Sequence, residues 1–139
     1  MDDQFDLQRF VTAQLPVFDV ACEELRGGCK RSHWMWFIFP QIEGLGHSPM
    51  AHKFAISSLA EARAYLMHPL LGPRLLECSG LAVAVEGRSA EDIFGYPDYL
   101  KFQSCMTLFA KANPQHQVFN DCLQKYFGGL ADAATQDKL

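Results

Sequence analysis

A run of large apolar side chains at residues 34–39 constrains the fold more than any other part of the sequence. These six residues are two tryptophans, two phenylalanines, one methionine and one isoleucine. So much apolar surface is not left in water, so we expect the run to lie in the core, with other segments packed around it. Because the run is apolar on every side, its periodicity does not distinguish helix from strand. One face of it could also line a pocket.

Turns and helix breakers divide the rest of the chain into short blocks with helical periodicity. Complete apolar stripes at spacings i, i+3, i+4 and i+7 begin at Phe18, Phe102 and Phe119. Pro97 begins the longest block. The sequence therefore predicts an all-α fold in which residues 1–139 form a single compact domain, an irregular array of about six to eight short helices. The residues expected to be almost fully buried are Phe18, Cys22, Phe102, Met106, Phe109 and Leu123.

Composition and charge argue against several functional classes. No run approaches the roughly 20 apolar residues of a membrane-spanning helix, and the N-terminus opens with acidic residues, unlike a signal or transit peptide. Twelve basic against sixteen acidic residues give a net charge of −4, which argues against a nucleic-acid partner. The five cysteines are odd in number and show no CxxC spacing, as is typical of an intracellular protein. We therefore expect a soluble, cytoplasmic protein with no membrane or nucleic-acid partner.

Several strings together resemble a known protein family. In chain order they are SHWMWFIFPQ (residues 32–41), GLG (44–46), YL with HP (65–66 and 68–69), IFG (93–95) and SCMTLF (104–109). Over nearly the whole chain this pattern resembles the domain-of-unknown-function family numbered 1810, which bacterial genomes often label calpastatin without support. The resemblance implies a mainly α-helical fold and supplies no mechanism. Cys105 stands where the family pattern implies a second serine, which argues against an essential hydroxyl there.

Polar residues beside the aromatic run form the candidate site. Lys30 and Arg31 are the densest basic pair in an acidic chain, suited to a phosphate or carboxylate. His33 is a candidate acid or base, because imidazole is the side chain best suited to proton transfer near neutral pH. Rigid aromatic walls, convergent polar groups and a titratable side chain are what a binding site needs. The expected ligand-binding residues are Lys30, Ser32, His33, Trp36, Asp98 and Lys101.

Each of these features also has a simpler structural interpretation. The basic pair could be a solvated charge pair, and His33 could be satisfied by a backbone carbonyl. Asp98 and Lys101 lie three residues apart in the first turn of a helix, where they could form an ordinary ion pair. Alternatively, Asp98 faces the aromatic residues, where a desolvated carboxyl would suit the role of a general acid.

Three functions stay open on the sequence, and with them whether the protein is an enzyme. The first is binding of a small anionic or nucleotide-like ligand in an aromatic-walled pocket. The second is a hydrolase of an N-glycosidic or phosphoester bond, with His33 and Asp98 as catalytic acid and base; the order of the C-terminal helices resembles that of glycohydrolases acting on NAD and ADP-ribose. The third is an interaction module or homodimer without catalysis, since aromatic residues and methionine suit an interface.

The sequence predicts neither a metal nor a cofactor. His47 and His52 are five residues apart, with no acidic residue at a helpful offset, and the HExxH motif is absent. Nucleotide-binding motifs such as GxGxxG and the Walker loop are absent too.

Overall fold

The computed structural model describes residues 3–139, and helices joined by short turns account for most of them. The helices are α1 (Gln8–Gln14), α2 (Phe18–Arg26), α3 (Met35–Ile38), α4 (Pro49–Lys53), α5 (Leu59–Met67), α6 (Leu71–Ala84), α7 (Ala90–Phe94), α8 (Asp98–Ala112), α9 (Gln117–Phe127) and α10 (Ala133–Gln136). Within residues 3–139, β pairing is limited to an isolated parallel bridge between Ile42 and Ile56. The predicted all-α fold is confirmed. The ten helices within residues 3–139 exceed the predicted six to eight because several are single turns of four or five residues.

Serine caps mark the beginnings of three helices. The hydroxyl of Ser48 accepts a hydrogen bond from the Ala51 amide at the start of α4, and Ser89 forms a reciprocal capping box with Asp92 at the start of α7. Ser58 caps α5 as Ser48 caps α4: its hydroxyl accepts a hydrogen bond from the Glu61 amide. These side chains satisfy amides that a helix leaves unpaired in its first turn, and so they fix where each of the three helices begins.

The aromatic run passes through the centre of the molecule. Trp34 and Phe39 have no exposed surface, and Met35 to Ile38 between them form the single turn α3. The Phe39 ring meets the rings of Phe94 and Phe102 edge-on, at centroid distances of 5.8 and 5.0 Å. Trp36 is the member of the run that stays only partly buried. The expectation that this run lies in the core is therefore confirmed, and Trp36 is its contact with the surface.

Five of the six residues expected in the core are buried there. Those residues are Cys22, Phe102, Met106, Phe109 and Leu123. The prediction for Phe18 is wrong, because its side chain is only partly buried. Phe18 is the first residue of α2; it packs against the edge of the core, and its ring also lies 4.6 Å from the Arg74 guanidinium carbon. A stripe pattern predicts which face points inward, but it does not predict that one end of a helix reaches the edge of the core.

Two polar side chains of α1 anchor this helix to the rest of the fold. Gln14 is buried, and its Nε2 donates to the Phe37 carbonyl at 2.7 Å and to the Tyr65 hydroxyl at 3.1 Å. Arg9 pairs with the buried Glu61 carboxylate at 2.9 Å and also donates to the Ala55 carbonyl. Because a buried polar group is costly unless it is paired, these contacts hold α1 at one position against α3 and α5.

None of the helices described in residues 3–139 has both the length and the apolar character needed to cross a lipid bilayer.

Candidate functional site

Three charged side chains from two parts of the chain meet beside the aromatic run, and we call them the charged cluster. Lys30 lies in the loop after α2, whereas Asp98 and Lys101 lie in the first turn of α8. Lys30 Nζ is 2.9 Å from Asp98 Oδ2, and Lys101 Nζ is 3.4 Å from Asp98 Oδ1. Two ammonium groups therefore share one carboxylate, and the cluster carries one excess positive charge.

The charged cluster rests on the two indole rings. Lys30 Nζ lies 5.2 Å from the centroid of the Trp34 ring, and Lys101 Nζ lies 5.3 Å from that of Trp36. Both distances are within the range of cation–π attraction. The Lys30 side chain is 8% exposed and the Lys101 side chain 26% exposed. Lys30 is thus the inner cation and Lys101 the outer one, next to the partly exposed face of Trp36.

Backbone contacts fix where the two halves of the cluster meet. The Lys30 amide donates to the Ile93 carbonyl at 2.7 Å, which joins the loop after α2 to α7. α8 begins a few residues beyond α7, with Asp98 as its first residue. A carboxylate at this position also benefits from the positive end of the helix dipole. The chain therefore brings Lys30 and Asp98 together through α7, and no local sequence pattern predicts that pairing.

Glu24 on α2 organises the loop that precedes the aromatic run, and sequence reasoning missed it. Its carboxylate accepts four hydrogen bonds: from the amides of Arg31 (2.8 Å) and Ser32 (3.1 Å), the Ser32 hydroxyl (2.6 Å) and the Trp34 indole N–H (2.9 Å). A buried indole N–H needs an acceptor, so the sequence alone already indicates that Trp34 has a polar partner. However, Glu23 and Glu24 are adjacent in the sequence, so this requirement does not identify which of the two accepts the hydrogen bond.

The hydrogen bonds to Glu24 also decide its protonation state. Burial raises the pKa of the Glu24 carboxyl, but the hydrogen bonds from Ser32, Arg31 and Trp34 favour the ionised form and outweigh the burial. The pKa of Glu24 therefore lies below its ordinary value of 4.5. Glu24 is a carboxylate at neutral pH, and it holds the segment that carries Lys30.

Two of the predicted site residues lie apart from the charged cluster. The Ser32 hydroxyl is committed to Glu24. His33 is exposed, and within residues 3–139 neither a hydrogen bond nor an ion pair joins it to Asp98. The Asp98 carboxylate instead faces two ammonium groups. The structure thus brings together Lys30, Trp36, Asp98 and Lys101, and it does not bring His33 and Asp98 into an acid–base pair.

Two cavities of the molecule lie away from the charged cluster. One of about 340 Å³ lies between α8, α9 and α10, and one of about 230 Å³ lies beside the end of α5. No predicted site residue lines either of them. Trp36 borders a hollow of only about 10 Å³ next to the Gly44–Gly46 loop, which is too small for more than a single water. The charged cluster is therefore a surface feature. The cavities form between helices that are distant in sequence, so no local motif predicts them.

The five cysteines are free thiols, and they differ in exposure. Cys22, Cys78, Cys105 and Cys122 are buried, and Cys29 is half-buried in the loop before Lys30. Burial raises the pKa of the Cys122 thiol to about 12 and raises that of Cys105 well above its usual range. Among the residues that the structure describes, no group of three or more histidine, cysteine, aspartate or glutamate side chains could hold a metal ion.

Comparison with known proteins identifies the family. A family model described as "Protein of unknown function (DUF1810)" matches residues 4–139. The crystal structure of the conserved hypothetical protein Rv1873 from Mycobacterium tuberculosis is 59% identical in sequence, with a TM-score of 0.98 over 99% of this chain and 98% of that chain. A search of curated proteins found no match. The family model spans nearly the whole chain and confirms the resemblance drawn from the sequence, so this chain belongs to the DUF1810 family.

Proposed function

We propose that the charged cluster and Trp36 bind a small anionic, nucleotide-like ligand. The observation that carries the proposal is the convergence of Lys30 and Lys101 on the single carboxylate of Asp98. The whole chain carries a net charge of −4, whereas this cluster has one positive charge in excess. A local positive field on an acidic surface attracts small anions to that place.

The two lysines have different parts in this binding. Lys30 is the inner cation and stays paired with Asp98, so that carboxylate remains neutralised when a ligand arrives. Lys101 is the outer cation, and its longer distance to Asp98, 3.4 against 2.9 Å, makes it the one that turns to the ligand. A phosphate then bonds to the Lys101 ammonium, and a base stacks on the exposed face of Trp36.

The expected affinity is modest, because few groups take part. A charge-assisted hydrogen bond contributes roughly 1.5–3 kcal/mol, and stacking of one base contributes roughly 1–3 kcal/mol. Their sum corresponds to a Kd on the order of 1 mM. A search for the ligand should therefore be made at millimolar concentrations, and it should compare molecules that have both a phosphate and a base with molecules that have only one of them.

The test is a titration with ADP, followed by ¹H–¹⁵N NMR and by the melting temperature. ADP should shift the indole resonance of Trp36 and raise the melting temperature, because a ligand that binds only the folded state stabilises it. Adenosine, which lacks the phosphates, should bind at least tenfold more weakly. Lys101→Gln should lose the ADP response. Lys53→Gln is the matched control, since Lys53 Nζ lies 5.3 Å from the Phe54 ring but pairs with no carboxylate in the described structure.

Two results would contradict the proposal. One is the absence of any shift at Trp36 with 10 mM ADP, and the other is an unchanged Kd in Lys101→Gln. The hydrolase and the non-catalytic interaction module stay predictions, since no observation in residues 3–139 favours either one. Phosphorus NMR of the same ADP samples would reveal cleavage, and light scattering would reveal a homodimer.

A further inference from the structure

The cavity of about 230 Å³ lies where the end of α5 meets the turn between α8 and α9. Its polar lining residues are Arg63, Asn113 and His116, and its apolar ones are Leu66, Met67 and Ala112. It shares no residue with the charged cluster. Among residues 3–139 no aspartate or glutamate lines it, so every ionisable side chain in its described lining is basic.

Arg63 is oriented towards this cavity by the backbone. Its Nε donates to the Ala112 carbonyl at 3.2 Å, which fixes the plane of the guanidinium and leaves both Nη groups available. Within residues 3–139, no carboxylate lies within ion-pair distance of Arg63. The two Nη groups of a guanidinium form a planar fork that matches the spacing of oxygens in a carboxylate or phosphate. The Arg63 guanidinium is thus held in a fixed orientation that suits an anion, and no carboxylate within residues 3–139 pairs with it.

The other two polar groups add hydrogen-bond donors to the same wall. The Asn113 Oδ1 accepts from the Gln115 amide at 3.1 Å, so the free end of this side chain is its NH₂ group. The His116 amide donates to the Asn113 carbonyl, and the His116 imidazole packs edge-on against Phe119 with a centroid distance of 6.2 Å. The turn therefore presents a carboxamide donor and a held imidazole beside the guanidinium.

We propose that this cavity binds the oxyanion of a small organic phosphate or carboxylate, with Arg63, Asn113 and His116 as its ligands. Leu66 and Met67 supply an apolar wall for the rest of the molecule. The volume of about 230 Å³ is below that of most drug-sized pockets, so the ligand is small. Met67 is 84% exposed, and its flexible thioether can fold over an apolar group that enters.

The experiment is an NMR titration of the full chain with phenyl phosphate, benzoate, inorganic phosphate and phenol. Phenyl phosphate or benzoate should shift the resonances of Asn113 and His116, and whichever binds more tightly identifies the preferred oxyanion. Inorganic phosphate tests the anion without the ring, and phenol tests the ring without the anion. Both should bind at least fivefold more weakly than the better of the two ring-bearing anions.

Variants separate this site from the charged cluster. Arg63→Gln should weaken binding at least tenfold, and Arg63→Lys should weaken it too, because lysine keeps the charge but lacks the fork. Arg88→Gln is the control, since Arg88 is equally an exposed arginine but lies beside Gly28, away from this cavity. In Lys101→Gln the shifts at Asn113 and His116 should match those of the unaltered chain, which distinguishes failure here from failure of the proposed function. Equal binding by Arg63→Gln, equal binding of phenol, or no shift with either ring-bearing anion would overturn the proposal.

Discussion

Replacing Glu24 with alanine removes the acceptor of four hydrogen bonds that hold residues 31–34 against α2. The consequence differs among the donors. The Trp34 side chain is fully buried, so its indole N–H loses the acceptor that it has in the folded structure. Arg31 is exposed and Ser32 is partly exposed, so their donors can turn to solvent. The main energetic cost therefore falls on a single orphaned N–H group.

The size of the effect follows from these environments. A buried donor left without a partner costs roughly 1–3 kcal/mol, and a hydrogen bond to a charged group that is replaced by water costs less. We expect Glu24→Ala to lower the free energy of unfolding by about 3 kcal/mol, at the upper end of that range because four bonds are lost together. For a chain of this size the melting temperature should fall by roughly 10 °C.

Urea denaturation and calorimetry measure the two quantities. Glu23→Ala is the matched control, since Glu23 is the neighbouring, exposed residue of the same helix, and it should change stability by less than about 0.5 kcal/mol. A loss below about 1 kcal/mol in Glu24→Ala would mean that the indole N–H has another partner and that our account of this loop is wrong.

The pH dependence gives an independent check on the same residue. Because the folded-state pKa of Glu24 lies below its ordinary value of 4.5, the stabilisation is fully present above that value. It is lost as the pH falls through the lowered folded-state pKa. The stability difference between the unaltered chain and Glu24→Gln should therefore be constant near neutral pH and shrink below pH 4.5. A difference that grows on acidification would contradict the assigned direction.

Two further predictions concern packing. Phe109 is fully buried against Tyr65 and Phe119, so Phe109→Ala should cost roughly 3–5 kcal/mol in urea denaturation, and a loss below about 1 kcal/mol would contradict the packing. In α6, a Cβ on Gly72 would lie 2.0 Å from a backbone oxygen, whereas one on Gly80 would meet nothing within 4 Å. Gly72→Ala should therefore destabilise by about 3 kcal/mol and Gly80→Ala should stabilise by about 0.5–1 kcal/mol, a contrast that calorimetry can refute if the two shifts have the same sign.

Local patterns predicted the helices well, because helix formation depends on neighbours in sequence. The stripes that begin at Phe102 and Phe119 lie inside α8 and α9. The same reasoning left the aromatic run undecided, since a segment that is apolar on every side is equally suited to helix or strand. Only the surrounding helices determine that Met35 to Ile38 make a single helical turn.

The candidate site was only partly predictable for a related reason. Asp98 and Lys101 are three residues apart on one helix, so their pairing follows from helical geometry. The pairing of Lys30 with Asp98 depends on the contact of Lys30 with α7, which is a tertiary interaction. Ser32 looked available in the sequence, but a carboxylate from α2 takes its hydroxyl. Competition among internal partners cannot be read from residue types alone.

The five thiols differ in exposure, so thiol labelling can probe different regions of the unaltered chain. Cys29 adjoins Lys30, and the other four thiols are buried, so a maleimide reagent should modify Cys29 first on the folded protein. A fluorophore placed there reports on events at the charged cluster without any substitution in it. The remaining thiols react only when the helices separate, so under conditions of rapid reclosing their labelling rate measures the free energy of that opening. The same reagent can thus report ligand binding through Cys29 and, over longer times, the opening of the core through the buried thiols.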